Sequence, residues 1–297
     1  MLKTVKMAGI FLIAATLPAN ALEFGEGLRT TGEFELEYFS GGEPNTIGYG
    51  KTDLIYEPPG GGIGGFAGFD AVSTSEDSLI AFYGAITYSG NFGKVQIGAP
   101  RAALDDYVDM PGLGGTRQIE FISDIFGNSV LTTAYLLSDG AEAQTGLRYD
   151  GTVGQAAIGA SLHNFADTTF IDLAVNYNMG TTILRAGLEH IVNGEGDVSV
   201  LHLGANATFN QFETGFMVTT ATESATGNLF ELFGKFSPNN KLDLTVTAAS
   251  VSIDALSSTA FGIAADYNFT PNAYVQAGAV GGADLDSDYN LSIGVKF

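Results

Sequence analysis

The chain has no cysteine and no tryptophan, and only 12 lysines and arginines against 33 aspartates and glutamates in 297 residues. Each scarcity excludes something. Without cysteine there is no disulfide scaffold, no thiolate metal site and no thiol nucleophile. A formal charge of −21 lacks the basic surface that displaces counterions from nucleic acid, so no nucleic-acid partner is expected. Charged residues make up only 15% of the chain, and basic ones are scarcer than a fully wetted surface usually shows. Long apolar runs are missing as well. Met7–Leu17 is apolar but falls short of the ~20 residues a spanning helix needs, and no longer run follows.

What is present points to strands. Glycine (40), phenylalanine (21) and tyrosine (12) are abundant, which excludes disorder. The first residues form a secretory leader: basic Lys3 and Lys6, the apolar run Met7–Leu17, then Ala19-Asn20-Ala21 as a small-residue cleavage site. Residues 1–21 are expected to be removed after Ala21, leaving 22–297 as a single domain. After the leader, stretches of about 8–12 residues alternate apolar with polar or small side chains, the period of a strand. We count 18 such strands, or 16 if one hairpin is miscounted, Gln118–Asp124 and Ser129–Leu137 among them. Tight connections such as Ser89-Gly90-Asn91, Phe126-Gly127-Asn128 and Asn210-Gln211 alternate with longer, acidic ones such as Ala221–Asn228.

The alternation defines two faces. Leu36, Tyr38, Leu291, Ile293, Leu173 and Val175 lie on apolar faces, opposite Glu35, Glu37, Ser292, Asp172 and Asn176. A soluble sandwich turns the apolar face to a second sheet; a membrane barrel turns it to lipid and the polar face to water. The leader, the few basic residues and the aromatic residues at strand ends (Tyr56, Tyr88, Phe92, Tyr177, Phe209, Phe212, Tyr267, Phe269) favour the barrel. Sixteen to eighteen strands leave an aqueous channel, whereas eight fill their interior with side chains.

The stretch Gly90-Asn91-Phe92-Gly93-Lys94-Val95-Gln96-Ile97-Gly98 resembles a turn-and-strand segment of Gram-negative general diffusion porins, especially the alphaproteobacterial, Rhodobacter-type branch. The final Gly294-Val295-Lys296-Phe297 is similar to the last strand of that family with its terminal Phe. The resemblance implies an all-β transmembrane barrel in the outer membrane of a Gram-negative bacterium, with a long third loop folded into the pore. Here that loop would be Ala99–Arg117. It further implies passive diffusion of small hydrophilic solutes and ions, contact with outer-membrane lipid, a homotrimer and no cofactor.

If the loop lies in the lumen, Asp105, Asp106 and Asp109, with Arg101 and Arg117 at its ends, line the narrowest section. Lys51 and Arg148 are the wall bases expected to face them. The acidic excess predicts cation preference. Arg148, Arg185 and Lys235 share polar faces with Asp150, Glu189 and Glu231 and suggest ion pairs along the wall. A substrate-selective channel and a barrel-based hydrolase are the alternatives. Hydrolysis would have to use His163, His190 or His202. Ser161 shares a face with His163, but no supporting acid can be read from the sequence. Asp284, Asp286 and Asp288 lack the spacing of a complete calcium loop.

Overall fold

The computed structural model describes residues 22–23, 26–41, 45–74, 78–117, 130–137, 144–194, 196–223, 227–253, 256–283 and 286–297. The leader and its cleavage residue Ala21, the expected strand Gln118–Asp124 and the expected turn Phe126-Gly127-Asn128 lie outside these residues. The strands are β1 (Leu22–Glu23), β2 (Leu28–Phe39), β3 (Thr46–Tyr56), β4 (Gly62–Thr74), β5 (Ser78–Gly90), β6 (Gly93–Ala99), β7 (Thr145–Val153), β8 (Ala156–Asn164) and β9 (Thr168–Asn178), followed by β10 (Thr182–Asn193), β11 (Gly196–Phe209), β12 (Phe212–Glu223), β13 (Gly227–Asn239), β14 (Leu242–Ile253), β15 (Leu256–Asn268), β16 (Ala273–Gly282) and β17 (Asp288–Lys296).

From β2 to β17 each strand pairs antiparallel with the next, and β17 returns to pair with β2. The result is a closed cylinder of sixteen strands, with β1 a short extension beside β2. Closure depends on the end of the chain. Val295 pairs with Phe34 and Lys296 with Glu33. Phe297 and Gly32 exchange backbone bonds of 2.9 and 2.7 Å, and the Phe297 ring stacks on Phe34 at 5.7 Å. A closed ladder leaves no unpaired edge, which is what hydrocarbon requires of a spanning sheet.

The alternation read from the sequence appears as an inside-out distribution of polarity. Leu36, Leu173, Leu203, Phe216, Val246, Ile263 and Leu291 are 40–61% exposed, whereas Glu35, Glu37, Asp172, Glu189, His163 and His202 are 0–3% exposed. A water-soluble monomer does not keep an apolar belt of this extent wet. At the tight-turn end the belt carries an aromatic girdle, with Tyr88 stacked on Phe92 at 5.9 Å and Phe212 on Phe236 at 4.7 Å, the side chains that settle at the membrane–water boundary. The two-residue turn Asn210-Gln211 holds Asn210 at φ 55°, the left-handed geometry that asparagine tolerates in a tight hairpin.

Three sequence expectations are corrected. The described part of the expected strand Ser129–Leu137 is not a strand: Leu131–Leu136 is a short helix, α1. β6, which ends at Ala99, pairs directly with β7, which starts at Thr145, so the wall has sixteen strands and not eighteen. The acidic connections at the end opposite the tight turns are shorter than expected, because strand pairing continues into them. β12 reaches Glu223 and β13 starts at Gly227, inside the stretch read as Ala221–Asn228.

Candidate functional site

Residues 100–117 leave β6 and pack on the polar, buried face of the cylinder along much of its circumference. At its start, Arg101 reaches β3 and β4. Its guanidinium grips Asp53 through Nε and Nη2 (2.7–3.2 Å), donates to Asp70 at 2.5 Å and lies over the Tyr83 ring at 4.1 Å. The two carboxylates outweigh burial and raise the Arg101 pKa. Next, the Ala103 amide donates to Ser161 Oγ on β8 at 2.8 Å. Arg148 on β7 donates to the Ala102 carbonyl at 3.0 Å and pairs with Asp106 and Asp150. Arg185 on β10 donates to the carbonyls of Tyr107 and Asp109 at 3.2 and 3.3 Å.

The segment then reaches β14–β17. The Gly114 amide donates to Thr247 Oγ1, and Asn290 Nδ2 donates to the Gly114 carbonyl, both at 2.9 Å. Gly114 has φ 62°, and a Cβ there would lie 2.7 Å from the Ala279 carbonyl oxygen. Only glycine satisfies both conditions. The segment ends on β2, where Thr116 Oγ1 and the Arg117 amide bond Glu37 and the Arg117 guanidinium pairs with Glu33 at 3.1 Å.

Helix α1 is held by a carboxylate distant in sequence. Glu189 on β10 accepts from the Leu131 and Thr132 amides (2.9 and 2.7 Å) and from Thr132 Oγ1 (2.6 Å). This supplies acceptors to helix N–H groups that have none within the helix and explains why Val130–Thr133, with three β-branched residues in four, does not form a strand. Leu136 and Leu137 pack with Tyr49, Val72, Tyr83, Phe165 and Phe170 into a dry cluster against β3–β5 and β9.

Beside the segment lies a cavity of about 370 Å³. Its segment side is Asp109–Arg117. Its wall carries Glu33, Glu35, Arg185, Glu213, Lys235, Asp266 and Lys296. Of the residues expected at the narrowest section, Asp109 and Arg117 border this cavity, and so do the wall bases Arg185 and Lys235. Arg101, Asp105, Asp106 and Arg148 occupy the seam between segment and wall, because each finds a partner of opposite charge or a hydroxyl there. Lys51 stands in register with Glu33 and Asp70, and its charge favours ionisation of Asp105 and Asp109. The wall pairs differ from those expected by same-strand spacing. Lys235 pairs with Glu213 across strands rather than with Glu231, and Arg185 bonds the segment while Glu189 holds α1; only Arg148–Asp150 forms as read. Glu213, Asp266 and Lys296 were not singled out. Their signal in the sequence was a place on a polar face, shared with many others.

Ser161 and His163 do meet an acid, Asp172, which sequence reading missed. Ser161 Oγ donates to Asp172 at 2.6 Å, and His163 Nε2 lies 3.6 Å from the same oxygen. The acid stands between serine and histidine, whereas a nucleophilic triad needs the histidine between serine and acid.

Asp105 provides a pH test. Removal from water pushes its carboxyl up to about 6, although Thr133 Oγ1, which donates at 2.7 and 2.8 Å, and Lys51 pull it down. The unfolded carboxyl titrates near 3.8, so the folded state holds the extra proton between these values. Stability is therefore lost as pH rises from about 4 to about 6 and stays low above that. Asp105→Asn is expected to raise the denaturation temperature of the detergent-solubilised barrel at pH 8, by at most about 3 kcal/mol in free energy. The gain should fade towards pH 4, and equal gains at both pH values would remove Asp105 as the cause.

A closed sixteen-stranded cylinder with a greasy exterior, a polar interior face and a long segment packed on that face defines a transmembrane β-barrel of the pore-forming type. Residues 21–286 match the model of the Gram-negative porin family; the chain belongs to that family, whose members reside in the outer membrane. Among solved structures, a triple mutant of the Rhodopseudomonas blastica porin is similar at 19% identity and a TM-score of 0.64, covering 91% of this chain and 100% of that one. A loop-deletion form of OmpT, an outer membrane protein of Vibrio cholerae, is similar at 16% identity and a TM-score of 0.65, covering 91% and 98%. No curated protein matches the chain.

Proposed function

We propose that this porin admits small hydrophilic solutes and ions by passive diffusion, and that residues 100–117 cross the lumen and set its narrowest section. The observation that carries this reading is the span of the segment, which bonds β8 at Ala103 and β17 at Gly114. These strands lie far apart around the cylinder and leave the charged cavity between them. In this reading Asp109 and Arg117 line the aperture. Arg101, Asp105, Asp106 and Arg148 seat the segment against the wall, and Lys51 acts through its field. The cavity is bordered by the acids Glu33, Glu35, Asp109, Glu213 and Asp266 and by the bases Arg117, Arg185, Lys235 and Lys296. An excess of one acid supports a weak cation preference. Export by the leader 1–21, cleaved after Ala21, and assembly as a homotrimer belong to the same reading.

Planar-bilayer recording of the refolded protein tests it. Ohmic steps with a reversal potential shifted modestly toward cations in a salt gradient are expected. Absence of conductance would overturn the channel reading, and anion selectivity would overturn the charge argument. On an unboiled gel the trimer should run large and collapse to the 30.9 kDa chain, less its leader, on boiling.

A further inference from the structure

The outer face of β12–β16 is not evenly covered. Beside the tight turns it holds a groove of about 740 Å³ with an almost wholly apolar lining. Strand register explains its shape. One outward row runs Phe212, Phe236, Leu244, Ala265 and Ala277 from β12 to β16. The next row runs Gly234, Val246, Ile263 and Ala279. Bulky and minimal side chains therefore stand side by side, and Gly234, Ala265, Ala277 and Ala279 leave the floor low. The groove faces the membrane, because Leu244, Val246 and Ile263 belong to the exposed apolar belt, which meets hydrocarbon.

The turns below the groove carry a charge that the rest of the chain does not. Phe209–Phe212, Ser237–Lys241 and Phe269–Asn272 contain one base, Lys241, and no acid, in a chain with 33 acids. Lys241 is exposed. Its backbone is fixed on both sides, donating to Asn239 Oδ1 at 2.9 Å and accepting from the Asn268 amide at 2.7 Å. Asp243 and Asp266 alternate onto the inner face, where they bond Ser237 and Gln276. At the far end of this part of the wall the chain carries Glu223, Asp286 and Asp288. An anion is thus favoured at the tight-turn end and repelled at the other.

We propose that this groove binds one anionic glycerophospholipid of the leaflet beside the tight turns, with its phosphate against Lys241 and an acyl chain along the floor. The dimensions agree. Leu244 and Val246 lie three and five residues beyond Lys241, about 10 and 17 Å along a strand. At a strand tilt of about 40°, Val246 is about 13 Å deeper than Lys241, half of the ~25 Å apolar band of such barrels. The groove therefore spans one leaflet and stops near the midplane. A lysine near the membrane surface favours an anionic headgroup about fivefold, and its alkyl stem carries the ammonium to the level of the phosphate. Only the membrane-facing belt is needed for this site; the channel reading is not.

Native mass spectrometry of the refolded, delipidated protein tests the proposal. Palmitoyl-oleoyl phosphatidylglycerol and the phosphatidylcholine with the same chains are added at equal concentration. The first phosphatidylglycerol adduct per chain is expected to be about fivefold more abundant than the first phosphatidylcholine adduct. Lys241→Gln should bring that ratio to one. Ala265→Leu with Ala277→Leu fills the floor without touching the turn and should lower the first adduct of both lipids. Heat-modifiable migration of each variant verifies that its barrel has formed. A parent ratio of one, a fivefold ratio unchanged by Lys241→Gln, or adducts unchanged by the filled floor would each overturn the proposal. If the filled floor instead abolishes the large species on an unboiled gel, the occupant is a second copy of the chain and the lipid site fails.

Discussion

Glu189→Ala is expected to destabilise the protein by about 3–5 kcal/mol, because two backbone amides and one hydroxyl of the Leu131–Thr132 turn lose their acceptor in a buried seam, each at a cost of about 1–3 kcal/mol. Glu189 is fully buried on β10, and its bonds to Leu131 and Thr132 are 2.6–2.9 Å. The barrel ladder does not depend on this carboxylate, so the cylinder should still form and the loss should fall on the seat of α1. Two readouts follow. The denaturation temperature in detergent should drop, and the open-channel current should become noisier as the third connection loses an anchor. Glu189→Gln keeps one acceptor oxygen and should lose less. If alanine leaves both the denaturation temperature and the current noise as in the parent, Glu189 is not an anchor.

Arg101→Leu should cost a similar amount for a different reason. Arg101, Asp53 and Asp70 form a cluster whose side chains are 7%, 13% and 6% exposed. Removing the cation strands two carboxylates in poor contact with water, and breaking a buried ion pair in this way costs about 3–5 kcal/mol. Arg101→Lys keeps the charge but cannot grip Asp53 with two nitrogens while reaching Asp70 with a third, so it should recover only part of the loss. The triple variant Arg101→Leu, Asp53→Asn, Asp70→Asn removes every charge together and should recover most of it. Chemical denaturation of the four proteins checks the series. If the triple variant is no more stable than Arg101→Leu, stranded charge is not the source of the loss.

These anchors show how differently the fold and the site could be read. The fold was legible because a membrane barrel repeats one local rule. Leu36 next to Glu37 and Leu291 next to Ser292 each record which side is wet, and a period of two requires no knowledge of distant residues. The tight turns and the terminal Phe297 were similarly local. The helix Leu131–Leu136 was not legible, because Val130, Thr132 and Thr133 read as a strand. Their amides turn into a helix only where Glu189 supplies the acceptors, and Glu189 lies on another strand. The site was legible in part. Asp109 and Arg117 were identified as segment charges and do border the cavity. Asp105 and Asp106 were identified by the same argument, but Asp105 is held by Thr133 on α1, and Asp106, more than half exposed, is paired with Arg148 on β7. The chemistry of an aspartate does not reveal which side of a folded segment it occupies.

The amino-acid sequence alone determined the class of molecule: an exported strand protein whose apolar stripe outweighs its polar surface, with enough strands to enclose space. Those properties come from composition and short-range periodicity, which any stretch of chain carries by itself. Which charges meet around the cavity was decided only in three dimensions. Cross-strand register sets Lys235 beside Glu213 and Lys296 beside Glu33, and the course of residues 100–117 over the inner wall brings Arg117 and Asp109 to the same cavity. Electrostatic interaction depends on distance through space, and the closed ladder makes neighbours of residues that lie more than two hundred positions apart along the chain.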